Sequence, residues 1–298
     1  MTRLRADILL LVAALIWGFA FVAQKDALLY IGPMTFVAGR FFLSFIVTLP
    51  LALRERQNAA RDKIEKSNIA QMLFALCTVF TGGVILQQTG LATTSVTNAG
   101  FLTGLYVVFV PLICFALFRQ KIPAIILPAV ALCVMGTYML SGGGYGFGWG
   151  DAQVLLCAVF FALHVVLVGR LMARSKSPLQ ISCLQYGAVT MAALCGVFAF
   201  ESPTLSGLQD ALPALLYAGI ASGGIAYTLQ MVAQQYAPPS DTAVILSSES
   251  VFAAIGGYIL LNERISATGM AGCALIIAAI LMVELAPLIR RRKFIPQV

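Results

Sequence analysis

Charged residues are what this sequence lacks most. Only 10% of its 298 residues are charged and a single histidine is present, whereas 60% are hydrophobic. Soluble domains carry about 25% charged residues, because a folded chain needs a polar surface over its core. The deficit therefore excludes an ordinary soluble domain. It predicts an all-α integral membrane protein whose surroundings are a lipid bilayer.

Familiar catalytic and cofactor motifs are also missing. The chain has no G-x-x-x-x-G-K-[ST] loop for ATP, no H-E-x-x-H and no paired His or Cys ligands, and its seven cysteines form no C-x-x-C. We therefore expect no cofactor, no metal and no catalytic residue, and a protein that is not an enzyme. An intramembrane enzyme acting on a lipid-linked substrate is kept as an alternative.

Long apolar runs occupy most of the chain. About 20 mainly apolar residues span the hydrocarbon layer, and Gly-, Pro- and Ser-rich turns divide the sequence into runs of this size. The predicted spans are 7–28, 33–53, 69–91, 96–118, 122–140, 149–171, 178–200, 211–235, 241–261 and 267–288. This pattern predicts ten transmembrane helices.

Positive charge indicates the orientation of these helices. With a cytoplasmic N-terminus, sixteen of the nineteen Lys and Arg residues fall in or beside cytoplasmic loops, as expected for short loops of membrane proteins. Both termini are then predicted to be cytoplasmic, in a multi-pass protein of the inner (plasma) membrane. The net charge of +7 is explained by the anionic inner leaflet, so no nucleic-acid partner is expected.

The two halves of the chain, 1–140 and 141–298, resemble each other. Residues 6–22 align with 150–166, Pro33 aligns with Pro178, and 96–122 align with 239–265, at offsets of 143–145. Each half holds five predicted helices, an odd number, so the second half would enter the membrane from the opposite side. Inverted repeats of this kind place substrates near the bilayer midplane. The alignment pairs Tyr106 with Glu249, Gln87 with Gln230, Trp17 with Phe161, Ala20 with His164, and Arg40 with Gln185.

Three stretches carry a family resemblance: LIWGFAFVAQK from Leu15, QQTGLATTSVTNAGFLTGLYVVFVP from Gln87, and ILSSESVFAAIGGYILLNERIS from Ile245. They resemble the EamA-type domain, present twice, of the drug/metabolite transporter superfamily. The resemblance implies a secondary transporter that moves amino acids, other small metabolites or drugs, often outward. It also implies two inverted five-helix repeats around a central cavity, with helices three, four, eight and nine close to it.

Two departures from the family pattern are present. The family often has proline where Ser250 stands, and 119–121 reads Arg-Gln-Lys where its L-x-E-R would stand.

A passive facilitator or channel of the same fold is the alternative function. G-x-x-x-G spacings at 100–104 and 219–223 allow close helix approach, so the expected state is a monomer or a weak homodimer.

Polar and aromatic residues at membrane depth are the candidate substrate-binding residues, because such groups must face a bundle interior or a wet cavity. Glu249 is the only charge between Asp241 and Glu263. It is interpreted either as a titratable or ammonium-binding carboxylate or as a structural hydrogen-bonding group. Trp17 could stack on substrate or simply pack, and His164 could be a structural donor. The predicted binding set is Trp17, Gln87, Tyr106, His164, Tyr227, Gln230, Ser247 and Glu249.

Lys25 follows the first predicted helix, at its outer end. The resembling family commonly has lysine here. The safer interpretation is a lysine that extends to the membrane interface beside Asp26.

Overall fold

The computed structural model describes residues 1–59, 69–140, 148–175, 177–260 and 266–292, and within them it contains helices and no strand. Its main helices are α1 (Arg3–Ala27), α2 (Pro33–Ala59), α3 (Ile69–Thr93), α4 (Val96–Phe118), α5 (Ile126–Leu140), α6 (Trp149–Met172), α7 (Pro178–Phe200), α8 (Leu212–Ala233), α9 (Pro239–Leu260) and α10 (Ala267–Arg292). A short helix, Leu205–Asp210, precedes α8.

Each predicted apolar segment overlaps one of these ten helices. Eight helices, all except α5 and α10, are long and apolar enough to cross a membrane. The two remaining apolar stretches, Ile126–Met139 and Ala267–Val283, are shorter. Helix α5 begins later than predicted because the chain turns at Arg119, where φ is 50°, and passes Pro123 before the helix starts. Eight of the ten predicted spans thus have the length and composition to cross a membrane, and the other two remain predictions.

Pairs of helices from the two halves of the chain form the bundle. Helix α2 packs along α7, α3 along α6, α5 against α10, and α1 against both α8 and α9. The apolar side chains of these contacts form one large core and two smaller clusters. The two halves therefore interlock rather than sit side by side.

Three of the helices are interrupted in their middle. Helix α4 breaks at Leu105, so that its second segment begins at Tyr106. Helix α9 breaks at 247–248, and its second segment begins at Glu249. In α8, residues Tyr217–Ala226 form a π-helix. Such irregular backbone occurs at membrane depth where it is buried in protein or lines a cavity, and π-helical turns often mark functional sites.

Glycines allow the closest helix contacts. A Cβ at Gly18 would lie 2.4 Å from Phe252 Cβ, so the backbones of α1 and α9 touch here. At the two G-x-x-x-G spacings, Gly104 faces Ser250 and Gly223 faces Ser44. These spacings therefore serve contacts within the chain.

Lys25 has a different role from the one predicted. Its ammonium does not simply extend to the interface beside Asp26: Nζ donates hydrogen bonds to the carbonyl oxygens of Leu91 (2.8 Å) and Thr94 (2.9 Å). The last carbonyls of a helix lack intrahelical donors, and a cation satisfies them well. Lys25 therefore caps the C-terminal end of α3, a long-range contact that no local pattern indicates.

Two glutamates cap the starts of helices α2 and α7 reciprocally. Glu55, near the end of α2, accepts a hydrogen bond from the Gln180 backbone N–H at the start of α7 (2.9 Å). Glu201, just past the end of α7, accepts from the backbone N–H groups of Met34 and Thr35 at the start of α2 (both 2.8 Å). Each helix of this antiparallel pair therefore satisfies the free N-terminal donors of the other.

Candidate functional site

A cavity lies in the centre of the bundle, where the interrupted helices meet. Helices α1, α2, α3, α4, α6, α8 and α9 all contribute to it. Its walls are Trp17, Phe21, Gln24, Arg40, Gln87, Thr103, Tyr106, Phe161, His164, Val165, Tyr227, Gln230, Leu246 and Glu249. Every one of these residues is buried. The free space is about 30 Å³, which is room for a water molecule or two and far below the several hundred Å³ of a metabolite site.

Glu249 lies in this wall because α9 is interrupted. It opens the second segment of the helix, and the N-terminal end of a helix favours negative charge. The side chain is 4% exposed, and Oε1 has no hydrogen-bond partner within the described residues. The Tyr106 hydroxyl lies close to this carboxyl, but neither it nor Oε1 meets hydrogen-bond geometry. Glu249 and Tyr106 therefore present unsatisfied polar atoms at one cavity wall.

Aromatic rings form a second wall. The Trp17 and Tyr227 rings lie 4.5 Å apart between centroids, and Phe80 meets Tyr227 edge-on at 4.8 Å. Trp17 Nε1 donates to the Ser222 carbonyl (3.0 Å), within the π-helical stretch of α8. This bond fixes the indole plane, so Trp17 and Tyr227 offer a rigid apolar surface.

His164 is held in place by two contacts. Its ring stacks on Phe80 at 4.7 Å, and Nε2 lies 3.0 Å from Gln185 Oε1 on α7. With the amide oxygen as acceptor, His164 Nε2 carries the proton. This bond supports a structural role for His164 as a buried donor, in addition to its place in the wall.

The two predicted glutamines occupy opposite halves of the chain. Gln87 Nε2 donates to Thr103 Oγ1 (3.3 Å), and Gln230 Nε2 donates to Gln234 Oε1 (3.0 Å). Gln230 Oε1 has no partner within the described part of the chain. It adds an acceptor to the polar atoms available to a ligand.

The sequence reasoning missed Arg40 as a site residue. Its side chain is 2% exposed and lines the cavity. Nη1 donates to Gln24 Oε1 (3.1 Å) and Nη2 donates to Ser222 Oγ (2.8 Å). The signal that could have found it was a lone arginine inside an apolar helix, since such charges usually mark function.

Ser247 is the one predicted residue that does not line the cavity. It is fully buried, its hydroxyl donates to the Val244 carbonyl (2.6 Å), and it lies 3.3 Å from Cys133 Sγ on α5. The turn at 247–248 directs it toward α5, because residues on either side of a helix break do not keep helical register. The other seven predicted residues surround one cavity.

This chain is helical and apolar, and both of its halves contribute to a buried central cavity. That is the architecture of a membrane transporter. The sequence model of the EamA-like transporter family matches residues 4–142 and again 148–285. The chain belongs to this family, which is consistent with the drug/metabolite transporter superfamily.

Individual relatives agree with this assignment. An uncharacterized transporter of Archaeoglobus fulgidus is 32% identical over 95% of this chain and 87% of its own length. A WAT1-related chloroplastic protein of Arabidopsis thaliana is 25% identical over 90% of this chain and 66% of its own length. A crystal structure at 18% identity aligns with a TM-score of 0.80 over 98% of this chain and all of its own. That likeness supports the fold.

Proposed function

We propose that this protein is a secondary-active transporter that exports small metabolites, amino acids foremost, or drugs. The observation that carries the proposal is the central cavity, in which buried polar atoms of Arg40, Tyr106, Gln230 and Glu249 lack partners within the described residues. Unsatisfied buried polar groups are costly. A polar solute bound in the cavity would satisfy them.

The small size of the cavity favours a carrier over a passive channel. A channel needs a continuous water-filled path, whereas here every wall residue is buried and the free space is about 30 Å³. A solute could enter only if the helices separated on one side. Such alternating access is typical of secondary transporters built from repeats.

Pairs of equivalent features support two inverted five-helix repeats, 1–140 and 141–298. Helices α4 and α9 break so that their second segments begin at Tyr106 and Glu249, the two positions that the sequence alignment pairs. The reciprocal caps Glu55 and Glu201 are a second such pair, at an offset of 146. Glu55 and Glu201 lie at opposite ends of the α2–α7 pair, as equivalent residues of two inverted repeats would.

We further propose ten crossings of the inner (plasma) membrane with both termini cytoplasmic. The distribution of Lys and Arg supports this orientation. On this topology α1 begins in the cytoplasm, and its Arg3 pairs with Asp241 at the start of α9. Glu249 then lies about 15 Å from the cytoplasmic start of α9, near the middle of the bilayer.

A substrate panel on overexpressing cells tests the proposal. Cells that overproduce the chain should tolerate toxic amounts of its solute, retain less of it and release it faster than cells without the chain. Cells making Glu249→Gln at equal levels in the membrane should lose this advantage. Unchanged tolerance and release across amino acids, their toxic analogues and drugs would contradict the proposal, as would faster accumulation inside the cell.

A further inference from the structure

Arg40 is a buried cation without a carboxylate. Within the described residues no Asp or Glu lies within ion-pair distance of it, and its two hydrogen-bond partners, Gln24 and Ser222, are neutral. Its guanidinium carbon lies 5.0 Å from the centroid of the Phe41 ring. Removing a charge from water costs several kcal/mol unless an opposite charge and full hydrogen bonding offset it.

The hydrogen bonds of Arg40 leave part of its guanidinium unused. Nη1 and Nη2 each donate one bond to protein, but Nε has no partner within the described residues. Nε–H and the neighbouring Nη–H point along one edge of the planar fork, the edge that binds both oxygens of a carboxylate. Arg40 lines the cavity, so a bound solute could reach this edge.

The position of Arg40 separates it from Glu249. Helix α9 begins beside the start of α1, where Arg3 bonds to Asp241, whereas α2 begins just after the end of α1. Arg40 is seven residues into α2, about 10 Å from that opposite end of the bundle. The two charged side chains thus approach the cavity from opposite ends, and Trp17 and Tyr227 also line it.

We propose that Arg40 forms a carboxylate-binding subsite at the α2 end of the cavity, so that the transported solute carries a carboxylate. This inference rests on the proposed transport function and narrows its substrate class. A carboxylate fits better than a phosphate because, among the residues that the structure describes, Arg40 is the only Lys or Arg in the cavity wall. One planar guanidinium matches one carboxylate in charge and in geometry.

The two tryptophans of the chain make a direct binding assay possible. Trp149 is 78% exposed at the start of α6, so Trp149→Phe should be tolerated and leaves Trp17 as the sole indole, inside the cavity. The full-length Trp149→Phe protein, purified in detergent, is titrated with L-amino acids, with their α-carboxamides and with inorganic phosphate. The carboxamides keep the ammonium and side chain but carry no negative charge.

At least one amino acid should change Trp17 emission saturably, and its carboxamide should bind roughly ten- to a hundredfold more weakly. In the same background, Arg40→Gln should lower the affinity for the amino acid to that for its carboxamide. Arg40→Lys should have an intermediate affinity for the amino acid, because lysine keeps the positive charge but not the forked guanidinium. Arg5→Gln, which removes an exposed arginine far from the cavity, is the matched control and should bind like its parent.

If Arg40→Gln does not fold, the titrations of the protein that keeps Arg40 still test the proposal. Equal binding of acids and amides, tighter binding of phosphate, or no saturable response to any amino acid would each overturn the carboxylate subsite. Failure of the transport function is distinguishable. Acids that bind through Arg40 but are never moved across a membrane would contradict transport, whereas export of a solute without a carboxylate would contradict only the subsite.

Discussion

At the scale of single residues, the cavity is defined by groups whose hydrogen bonds are incomplete. Glu249 has neighbours that could have satisfied it, since Ser248 and Ser250 flank it. Their hydroxyls instead donate to the backbone carbonyls of Ile245 (2.7 Å) and Gly100 (3.1 Å). The carboxyl therefore stays available, which favours a functional over a structural interpretation.

Glu249→Gln tests this interpretation. Gln keeps the shape of the side chain and can hydrogen-bond, but it cannot exchange a proton or pair with an ammonium group. We expect the variant to reach the membrane and unfold near the wild-type temperature, yet to lose transport by tenfold or more, as for loss of a charge-assisted contact. Initial transport rates at equal protein levels measure the effect.

The control for this prediction is Ser247→Ala, at a predicted site residue that lies outside the cavity wall. It should transport like wild type, although loss of its buried hydrogen bonds should lower stability by about 1 kcal/mol. If Glu249→Gln transports normally while Glu249→Leu fails to fold, Glu249 is a structural hydrogen-bonding group.

At the scale of helices, the α1–α9 contact positions Trp17 against Glu249's helix. Gly18 allows it, because an added Cβ would lie 2.4 Å from Phe252 Cβ and 2.7 Å from the Ala253 backbone nitrogen. Backbone atoms cannot move aside cheaply. We therefore expect Gly18→Ala to lower the free energy of unfolding by roughly 1–3 kcal/mol, as overpacking does. The thermal unfolding temperature should fall with it.

Gly100→Ala is the matched control on α4. It is also buried within a helix and faces Ala253, but its added Cβ would lie at an ordinary 3.5 Å. Replacing this glycine should be neutral or slightly stabilising, because alanine is the better helix former. Equal losses of thermal stability in both variants would mean that the close α1–α9 approach is not what Gly18 provides.

At the scale of the whole molecule, the sequence predicts a topology of ten spans with both termini in the cytoplasm. A reporter fused after Val298 should be cytoplasmic, and one inserted at Gly143 should be outside, because an odd number of predicted spans separates them. Both positions lie outside the described residues. Phosphatase and fluorescent-protein fusions read the two compartments directly, and finding both reporters on one side would refute the ten-span topology.

The sequence predicted where the helices of this architecture lie because apolar length is a local property of the chain. Polar and aromatic residues at membrane depth, together with the internal repeat, correctly placed Trp17, Tyr106 and Glu249 around one cavity. The sequence could not predict that Arg40 lines the cavity or that Lys25 caps α3, since both depend on which helices are neighbours. It also missed the turn that directs Ser247 toward α5, because periodicity assumes an unbroken helix.

The central claim is that one cavity, formed by both halves of the chain, carries a solute across the membrane by alternating access. Counterflow in liposomes that contain the purified protein tests it most directly. Preloading with an unlabelled exported solute should drive transient accumulation of the labelled form, with a rate that saturates. Flux that rises linearly with concentration and shows no counterflow would contradict the claim and would indicate a channel.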